Sequence, residues 1–302
     1  MIVNNKPLVV AVVGPTGSGK TKLAVTIAKK YDGVIISADS RQVYKGLDIG
    51  TNKAGTPGVY LGGSAKYIDK IPQLLIDIVE PGARFSLYDW LLSARRLVRL
   101  VAKQGKLPII AGGTGLYVSA LLSNWELGAT DLVLRKNLGK KTLEELQDMV
   151  DGFIGSLNDS DYRNPRRLVR FLEKNLTPNE PKLPRLDLDY LVITNRVDQE
   201  DLFNQSDERF RALFKDIINE SKGFDLDWLY SLGLDYQIAV RAIRKELPKD
   251  QLLLQYNAEA HKYIRRQQTW WQHHERVSTV KNQEEALKLV GSFLRSDRKL
   301  VE

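Results

Sequence analysis

Short apolar runs and longer amphipathic segments alternate along most of the chain. Four apolar runs predict buried strands, over residues 8–13, 34–37, 74–78 and 107–111. Apolar residues at helical spacing predict helices, one beginning near residue 20 and others over 85–103 and 281–302. Strands that alternate with helices are typical of a parallel sheet, so the pattern predicts an α/β fold.

A polar and mainly helical stretch interrupts this alternation over residues 125–186. One apolar stripe runs along it, formed by Leu143, Leu146, Met149 and Val150. A proline-rich segment over 177–184 leads back to the core. We therefore predict a small all-α insertion over 125–186, with residues 1–124 and 187–302 forming the sheet-containing core and its C-terminal helices.

The loop between the first strand and the first helix carries a specific chemical signal. It is Gly14-Pro15-Thr16-Gly17-Ser18-Gly19-Lys20-Thr21, which fits the P-loop pattern G-x-x-x-x-G-K-[ST] at every fixed position. Glycines let the backbone wrap an anion, and the helix N-terminus adds positive potential. Lys20 would approach the terminal phosphates, and the Thr21 hydroxyl would bind Mg²⁺. The motif predicts a di- or triphosphate site without specifying the group that is transferred.

Two further polar side chains follow predicted strands. Asp39 comes after the second strand, and Thr114 follows Gly112 and Gly113 at the end of the fourth. Parallel sheets bind ligands at the carboxyl ends of their strands, so both side chains are expected near the P-loop. A carboxylate there can bind Mg²⁺ through water, accept a proton, or cap a short helix, and its position leaves these roles open. The Gly-Gly-Thr turn can hold a ligand or only join a strand to a helix.

Composition excludes several classes of site. The chain has no cysteine and only three histidines, which excludes disulfide scaffolds and thiolate metal sites and disfavours histidine-based catalysis. The net charge is +8, and residues 1–124 carry 16 basic and 7 acidic side chains, a balance of +9. This basic excess indicates a polyanionic partner. We find no run of about 18 apolar residues and no secretory signal pattern, so we expect a cytoplasmic protein without a membrane span.

Several motifs resemble, in order and spacing, those of the tRNA dimethylallyltransferases, also called tRNA isopentenyltransferases. They include the P-loop, S-A-D-S-R-Q-V-Y over 37–44 and A-G-G-T-G-L-Y over 111–117. Two later segments, over 164–173 and 262–270, are similar to helices of that family. The resemblance covers nearly the whole chain and indicates the bacterial type without a zinc finger. It implies a P-loop NTPase-like parallel sheet flanked by helices, with an insertion that binds tRNA.

The resemblance also implies a reaction. The family transfers a dimethylallyl group from dimethylallyl diphosphate to the N6 amine of adenosine 37 in tRNA, with Mg²⁺. By this resemblance Asp39 is the base at the amine, and Thr114 assists there or at the donor. Lys20, Thr21 and Mg²⁺ would neutralise the leaving diphosphate. By the resemblance, residues 188–194 form the strand that returns from the insertion, and the following helix binds the diphosphate. That helix carries Arg209 and Arg211, and we assign the diphosphate contact to Arg209, because Arg211 faces another side of the helix.

An RNA surface follows from the same resemblance. The expected tRNA contacts are Asp39, Ser40, Arg41, Gln42, Arg166, Arg167, Arg170, Arg265, Arg266 and Gln267. The first four would grip a flipped-out base, because an enzyme cannot reach the amine of a stacked base. The motif over 233–237 departs from the family pattern, since it lacks the usual arginine or lysine. We expect the partner to be the anticodon stem-loop and the enzyme to be a monomer.

Three other interpretations share parts of this pattern. An isopentenyltransferase for free adenine nucleotides would have less need of the basic segments over 163–170 and 262–271. A small-molecule P-loop kinase would transfer a phosphoryl group and usually has a pair of lid arginines. A non-catalytic RNA-binding protein would not be expected to keep the full set of catalytic side chains. Diphosphate release without ATP hydrolysis, and RNA retention that falls steeply with salt, would separate these possibilities.

Overall fold

A computed structural model describes residues 1–128, 131–153, 157–177, 182–272 and 276–296. Its strands are β1 (Ile2–Val3), β2 (Lys6–Val13), β3 (Gly33–Ser37), β4 (Thr56–Tyr60), β5 (Gly63–Ile68), β6 (Ile71–Leu74), β7 (Leu107–Gly112), β8 (Asp189–Asn195) and β9 (Val277–Val280). Its helices are α1 (Lys20–Tyr31), α2 (Leu87–Lys103), α3 (Gly115–Leu122), α4 (Leu132–Leu138), α5 (Leu143–Asp151), α6 (Asp159–Tyr162), α7 (Pro165–Leu176), α8 (Gln199–Ser221), α9 (Leu226–Leu232), α10 (Leu234–Ile243), α11 (Lys249–Gln272) and α12 (Gln283–Ser296).

One sheet organises the core, with the strand order β4-β5-β6-β3-β7-β2-β8-β9 and β1 paired beside β2. Neighbouring strands are parallel from β6 across to β9. The register pairs Val13 with Gly112 and Ser37 with Ala111, so β2, β3 and β7 end at the same edge. The loops that follow these strands therefore start side by side. The α/β fold predicted from the sequence is confirmed.

Two apolar cores hold the sheet and the loop after β3 in place. Strand β2 is buried from Pro7 to Val13, and the apolar face of α1 packs on it together with α12. Helices α8 to α11 enclose a second core that includes Val43 and Leu47 from the loop after β3. Within that core the rings of Phe210 and Tyr256 stack, with 3.6 Å between their centroids. The segment that follows Asp39 is thereby attached to the C-terminal helices.

The helix that was predicted over residues 85–103 has its N-cap at Ser86. Ser86 and Asp89 form a capping box, in which the Ser86 hydroxyl accepts from the Asp89 N–H and the Asp89 carboxylate accepts from the Ser86 N–H. The helix therefore starts at Leu87. Trp90, on the first turn, is fully buried and donates to the Ser37 carbonyl at 2.9 Å. This bond holds α2 against the end of β3.

The sheet differs from the prediction toward both of its edge strands. The third strand was expected over 74–78, but β6 ends at Leu74, because Leu75 and Asp77 adopt positive φ angles of 60° and 54° that break an extended ladder. The antiparallel hairpin of β4 and β5 was not predicted, since its residues alternate weakly and include Pro57 and Gly58. Strand β9 was also missed, because a four-residue strand carries little periodicity.

The chain divides into two compact units, Met1–Asn124 with Leu186–Glu302, and Trp125–Arg185. The second unit packs α4, α5 and α7 around a small apolar core, formed by Leu138, Leu146, Val150, Leu168, Val169 and Leu172. The buried Glu173 carboxylate pairs there with Arg135. In the predicted proline-rich segment, residues 178–181 lie outside the described residues, as do 297–302 of the predicted last helix. In the part of the chain that the structure describes, no helix is both long and apolar enough to span a bilayer.

Candidate active site

The P-loop forms an open anion cradle at the N-terminus of α1. Gly14, Gly17 and Gly19 have φ angles of 137°, 83° and 74°, which side chains rarely adopt. A Cβ atom on Gly14 would lie 3.0 Å from both the Ser18 and the Thr194 hydroxyl oxygens, so the loop is closely packed there. The N-cap Gly19 offers no side chain to the first turn, and that turn contains no acidic residue. The N–H groups at the start of α1 are therefore available to an anion.

Three side chains of the loop are suited to bind a diphosphate. Lys20 is half-buried, and burial lowers its pKa to about 8 although the Asp39 carboxylate acts in the opposite direction. The buried Ser18 hydroxyl has no hydrogen-bond partner among the described residues. The Thr21 side chain is exposed on the first turn of α1. An anion in this loop would favour the charged form of Lys20 and provide acceptors for these groups.

Asp39 and Thr114 lie at the ends of neighbouring strands. Oδ1 of Asp39 accepts from the backbone N–H of Arg41 at 2.8 Å and from that of Gln42 at 3.3 Å. The Thr114 hydroxyl accepts from the Ser40 N–H at 3.2 Å, and the Thr114 N–H donates to the Ala38 carbonyl at 3.2 Å. The two loops are thus hydrogen-bonded to each other. Strands β2 and β3 both pair with β7, so the P-loop and the Asp39 loop follow the strands on either side of it.

Gly112, the last residue of β7, shows why a glycine is needed at the start of the Gly-Gly-Thr sequence. A Cβ atom at this position would lie 2.2 Å from the Ala38 carbonyl oxygen, which is far inside a normal contact. Only glycine allows β7 to approach the end of β3 so closely. The turn joins β7 to α3 and brings the Thr114 hydroxyl to the N–H of Ser40, the residue after Asp39.

Arg209 lies on α8 and forms an ion pair with Asp235 of α10. Burial opposes the charge of Arg209, but the Asp235 carboxylate and Tyr256 together outweigh it, and the pKa of Arg209 is raised. Its Nε and Nη1 atoms are buried and have no hydrogen-bond partner among the described residues. Burial raises the pKa of Asp235 against the effect of Arg209, and Asp39 raises it further. The two unpartnered donors of Arg209 suit an anionic ligand.

Asp235 and Glu220 are site-supporting residues that sequence reasoning missed. Glu220 of α8 accepts from three consecutive backbone N–H groups of a loop, at 2.7, 2.7 and 3.1 Å for Asp48, Ile49 and Gly50, and from the Tyr236 hydroxyl at 2.7 Å. The Glu220 carboxylate therefore anchors the loop over residues 48–50. Asp235 lies in the segment where the sequence departs from the family pattern, and that departure was the available signal.

The residues of the first unit that are expected to contact RNA differ in their exposure and in their contacts within the protein. Arg41 is exposed, whereas the Gln42 amide donates to the Thr51 carbonyl at 3.1 Å. Arg265 and Arg266 are exposed on α11, each with its guanidinium over an aromatic ring. Gln267 differs from these two, because it is buried and its amide binds backbone atoms of two loops. The structure therefore gives Gln267 a contact other than the RNA contact that was expected.

The remaining expected contacts lie on α7 in the second unit. Asn164 caps this helix by accepting from the N–H groups of Arg166 and Arg167. Arg166, Arg167 and Arg170 are all exposed. Arg167 pairs with Asp161, and Arg170 lies 3.4 Å from the Glu173 carboxylate. Arg166 forms no ion pair with the described residues, so its charge is the most available of the three.

Family models and relatives of known name match this chain. The family described as IPP transferase matches residues 42–274, and the family described as isopentenyl transferase matches residues 7–68. The tRNA dimethylallyltransferase of Endomicrobium trichonymphae is 34% identical over 87% of this chain and 91% of its own. The tRNA dimethylallyltransferase 1 of Geotalea uraniireducens is 33% identical over 89% of each chain.

A solved structure extends the agreement to the fold. The crystal structure of the full-length tRNA isopentenylpyrophosphate transferase from Bacillus halodurans has a TM-score of 0.70 and 26% identity, covering 98% of this chain and 99% of its own. The expected family is thus confirmed by sequence and by structure. The chain belongs to the IPP transferase family, together with these bacterial tRNA dimethylallyltransferases.

Proposed function

We propose that this chain transfers the dimethylallyl group of dimethylallyl diphosphate to the N6 amine of adenosine 37 in tRNA, giving N6-isopentenyladenosine and diphosphate. The observation that carries the proposal is that the P-loop, the Asp39 loop and the Thr114 turn follow β2, β3 and β7, which pair side by side and end together. The site thus combines an anion cradle with a carboxylate. The transfer of a group from a diphosphate to an amine requires both. Kinship with tRNA dimethylallyltransferases supports the choice of donor and acceptor.

In the proposed step, the N6 lone pair forms a bond to the first carbon of the dimethylallyl group, and the bond from that carbon to the diphosphate oxygen breaks. The N6 proton passes to Asp39 as the new bond forms. Oδ1 of Asp39 is engaged by two backbone N–H groups, so Oδ2 is the oxygen that would receive the proton. The Thr114 hydroxyl accepts from Ser40 and keeps its own hydrogen to donate to a substrate.

Negative charge on the leaving diphosphate would be neutralised from two sides. Lys20 and the N-terminus of α1 act on one side, and a protonated Lys20 is favoured by the anion that it binds. Arg209 acts on the other with Nε and Nη1, which have no partner within the described part of the chain. Preorganised donors of this kind stabilise charge without reorganising during the reaction.

Thr21 would hold Mg²⁺ against the diphosphate. Mg²⁺ at phosphate sites uses one or two protein ligands and completes its shell with phosphate oxygens and water. An exposed hydroxyl on the first turn of α1 fits that donor set. Within the described residues, no group of three or more His, Cys, Asp or Glu side chains could hold a metal without the substrate. When bound, the ion supplies positive charge to the leaving group.

The RNA partner would be the anticodon stem-loop. Support comes from the exposed arginines, of which Arg166 and Arg170 are one helical turn apart on α7 and Arg265 and Arg266 are adjacent on α11. Ser40 and Arg41, beside the catalytic carboxylate, are suited to hold the extruded base. We further propose that the enzyme acts as a monomer in the cytoplasm.

A transfer assay tests the proposal. Purified protein, Mg²⁺ and radiolabelled dimethylallyl diphosphate are offered an unmodified tRNA with adenosines at positions 36–38, or AMP or ADP. We expect label on the tRNA alone. Label on the nucleotides would instead assign the free-nucleotide reaction. Phosphoryl transfer from labelled ATP without prenyl transfer would indicate a kinase, and salt-sensitive tRNA retention without either reaction would indicate a binding protein.

A further inference from the structure

Gln267 joins two loops of the candidate site. Its Oε1 atom accepts from the Thr16 backbone N–H in the P-loop at 3.1 Å, and its Nε2 atom donates to the Gly113 carbonyl at 2.8 Å. The residue is 7% exposed, so these bonds are largely shielded from water. One side chain from helix α11 therefore connects the loop after β2 to the loop after β7.

The orientation of α11 accounts for this burial. Tyr256, Ala260, Ile264, Gln267 and Trp271 are buried at spacings of four, four, three and four residues, which is one face of a helix. Gln267 is the polar member of this face. Its neighbours Arg265 and Arg266 lie on other faces and are exposed. A residue on the buried face cannot reach a phosphate backbone in solution without leaving its place in the core.

The chemistry of the two contacts requires an amide. One contact needs an acceptor and the other needs a donor, and a glutamine offers both in a single orientation. A carboxylate of the same shape would keep the first bond but would place an oxygen 2.8 Å from the Gly113 carbonyl oxygen. Glycine at position 113 belongs to the same arrangement, because a Cβ atom there would lie 2.7 Å from Nε2.

We propose that Gln267 is a positioning residue that fixes the P-loop relative to the Gly113–Thr114 turn. The part of this inference that concerns substrates rests on the proposed function. The P-loop would hold the donor diphosphate, and the turn carries Thr114 beside Asp39 at the acceptor amine. Fixing one loop against the other sets the separation of the two reactants. The Thr16 N–H, already engaged by Gln267, is then a structural donor and not a phosphate ligand.

Two variants separate positioning from RNA contact. Gln267→Glu keeps the shape and one bond, and Gln267→Met keeps the volume and removes both bonds. Gln251→Glu, on the exposed first turn of α11, is the matched control for the added charge. Because a buried group left without its partner costs about 1–3 kcal/mol, we expect kcat to fall roughly 5- to 100-fold in Gln267→Glu. We expect the tRNA dissociation constant to stay within about twofold of the wild-type value at fixed salt, since no phosphate contact is lost.

Hydrogen exchange gives a readout that needs no turnover. We expect the Thr16 amide to exchange faster in both Gln267 variants, and binding of inorganic diphosphate with Mg²⁺ to weaken. These results would support the positioning role even if the wild-type enzyme failed to modify tRNA, in which case only the proposed function would fall. Unchanged exchange at Thr16, or a loss of tRNA affinity with unchanged kcat at saturating tRNA, would overturn the inference. If Gln267→Glu fails to fold, Gln267→Met provides the same comparison.

Discussion

Replacing Gly112 by alanine tests whether the close approach of β7 to β3 builds the active site. A Cβ atom there would lie 2.2 Å from the Ala38 carbonyl oxygen and 2.4 Å from the Ala38 carbonyl carbon. Both atoms belong to the backbone, so no side chain can rotate away. Ordinary contacts begin near 3.4 Å, and the two strand ends must therefore separate by roughly 1 Å.

The separation would break identifiable bonds. The Ala38 N–H donates to the Ala111 carbonyl at 2.8 Å, and the Thr114 N–H donates to the Ala38 carbonyl at 3.2 Å. Buried groups left unpaired cost about 1–3 kcal/mol each, and overpacking adds a similar amount. We expect the free energy of unfolding to fall by about 3–5 kcal/mol. Displacing Thr114 relative to Asp39 should also slow transfer by on the order of 100-fold.

Urea denaturation and single-turnover prenyl transfer measure the two effects. The matched control is Gly63→Ala, where the nearest atom to the added methyl would be the Tyr60 carbonyl oxygen at 3.9 Å. We expect this control to retain wild-type stability within about 1 kcal/mol and wild-type activity. A Gly112→Ala enzyme with the stability and rate of the control would show that the strand ends do not set the site geometry.

Three further predictions concern other parts of the site. Glu220→Ala should lower the free energy of unfolding by about 2–4 kcal/mol in urea titrations, because three backbone donors and the Tyr236 hydroxyl lose their acceptor. A stability change below about 0.5 kcal/mol would contradict that role. Diphosphate affinity should fall as pH rises through about 8, since Lys20 loses its charge there, and calorimetry should find no such step in Lys20→Arg, which stays protonated. Arg166→Ala should reduce the salt dependence of tRNA binding by about one charge, and an unchanged slope in filter binding would remove Arg166 from the RNA surface.

Motifs within a short stretch of sequence predicted the P-loop, the part of the site that is formed by consecutive residues. The P-loop lies between one strand and one helix, so its glycines, Lys20 and Thr21 could be identified from a single stretch of residues. The positions of Asp39 and Thr114 followed from a general property of parallel sheets, the clustering of loops at the carboxyl ends. Their roles needed the resemblance to a known family as well.

Long-range contacts account for what the sequence did not predict. Gln267 lies 251 residues from Thr16 along the chain, and Asp235 is 26 residues from Arg209. No spacing rule in the sequence connects such distant residues. Tertiary packing alone brings Gln267 to Thr16 and Asp235 to Arg209. The burial of Gln267 could have been inferred from its place on the apolar face of α11. The basic residues beside it instead suggested an RNA contact.

The measurement that tests the central proposal most directly is single-turnover transfer by Asp39→Asn. Asparagine keeps an oxygen that can accept from the Arg41 N–H, so the local turn should persist while the base is lost. We expect binding of dimethylallyl diphosphate and tRNA within about threefold of wild type, and a rate of transfer lower by on the order of 10²- to 10⁴-fold. An unchanged transfer rate with intact binding would contradict the assignment of Asp39 as the base at the acceptor amine.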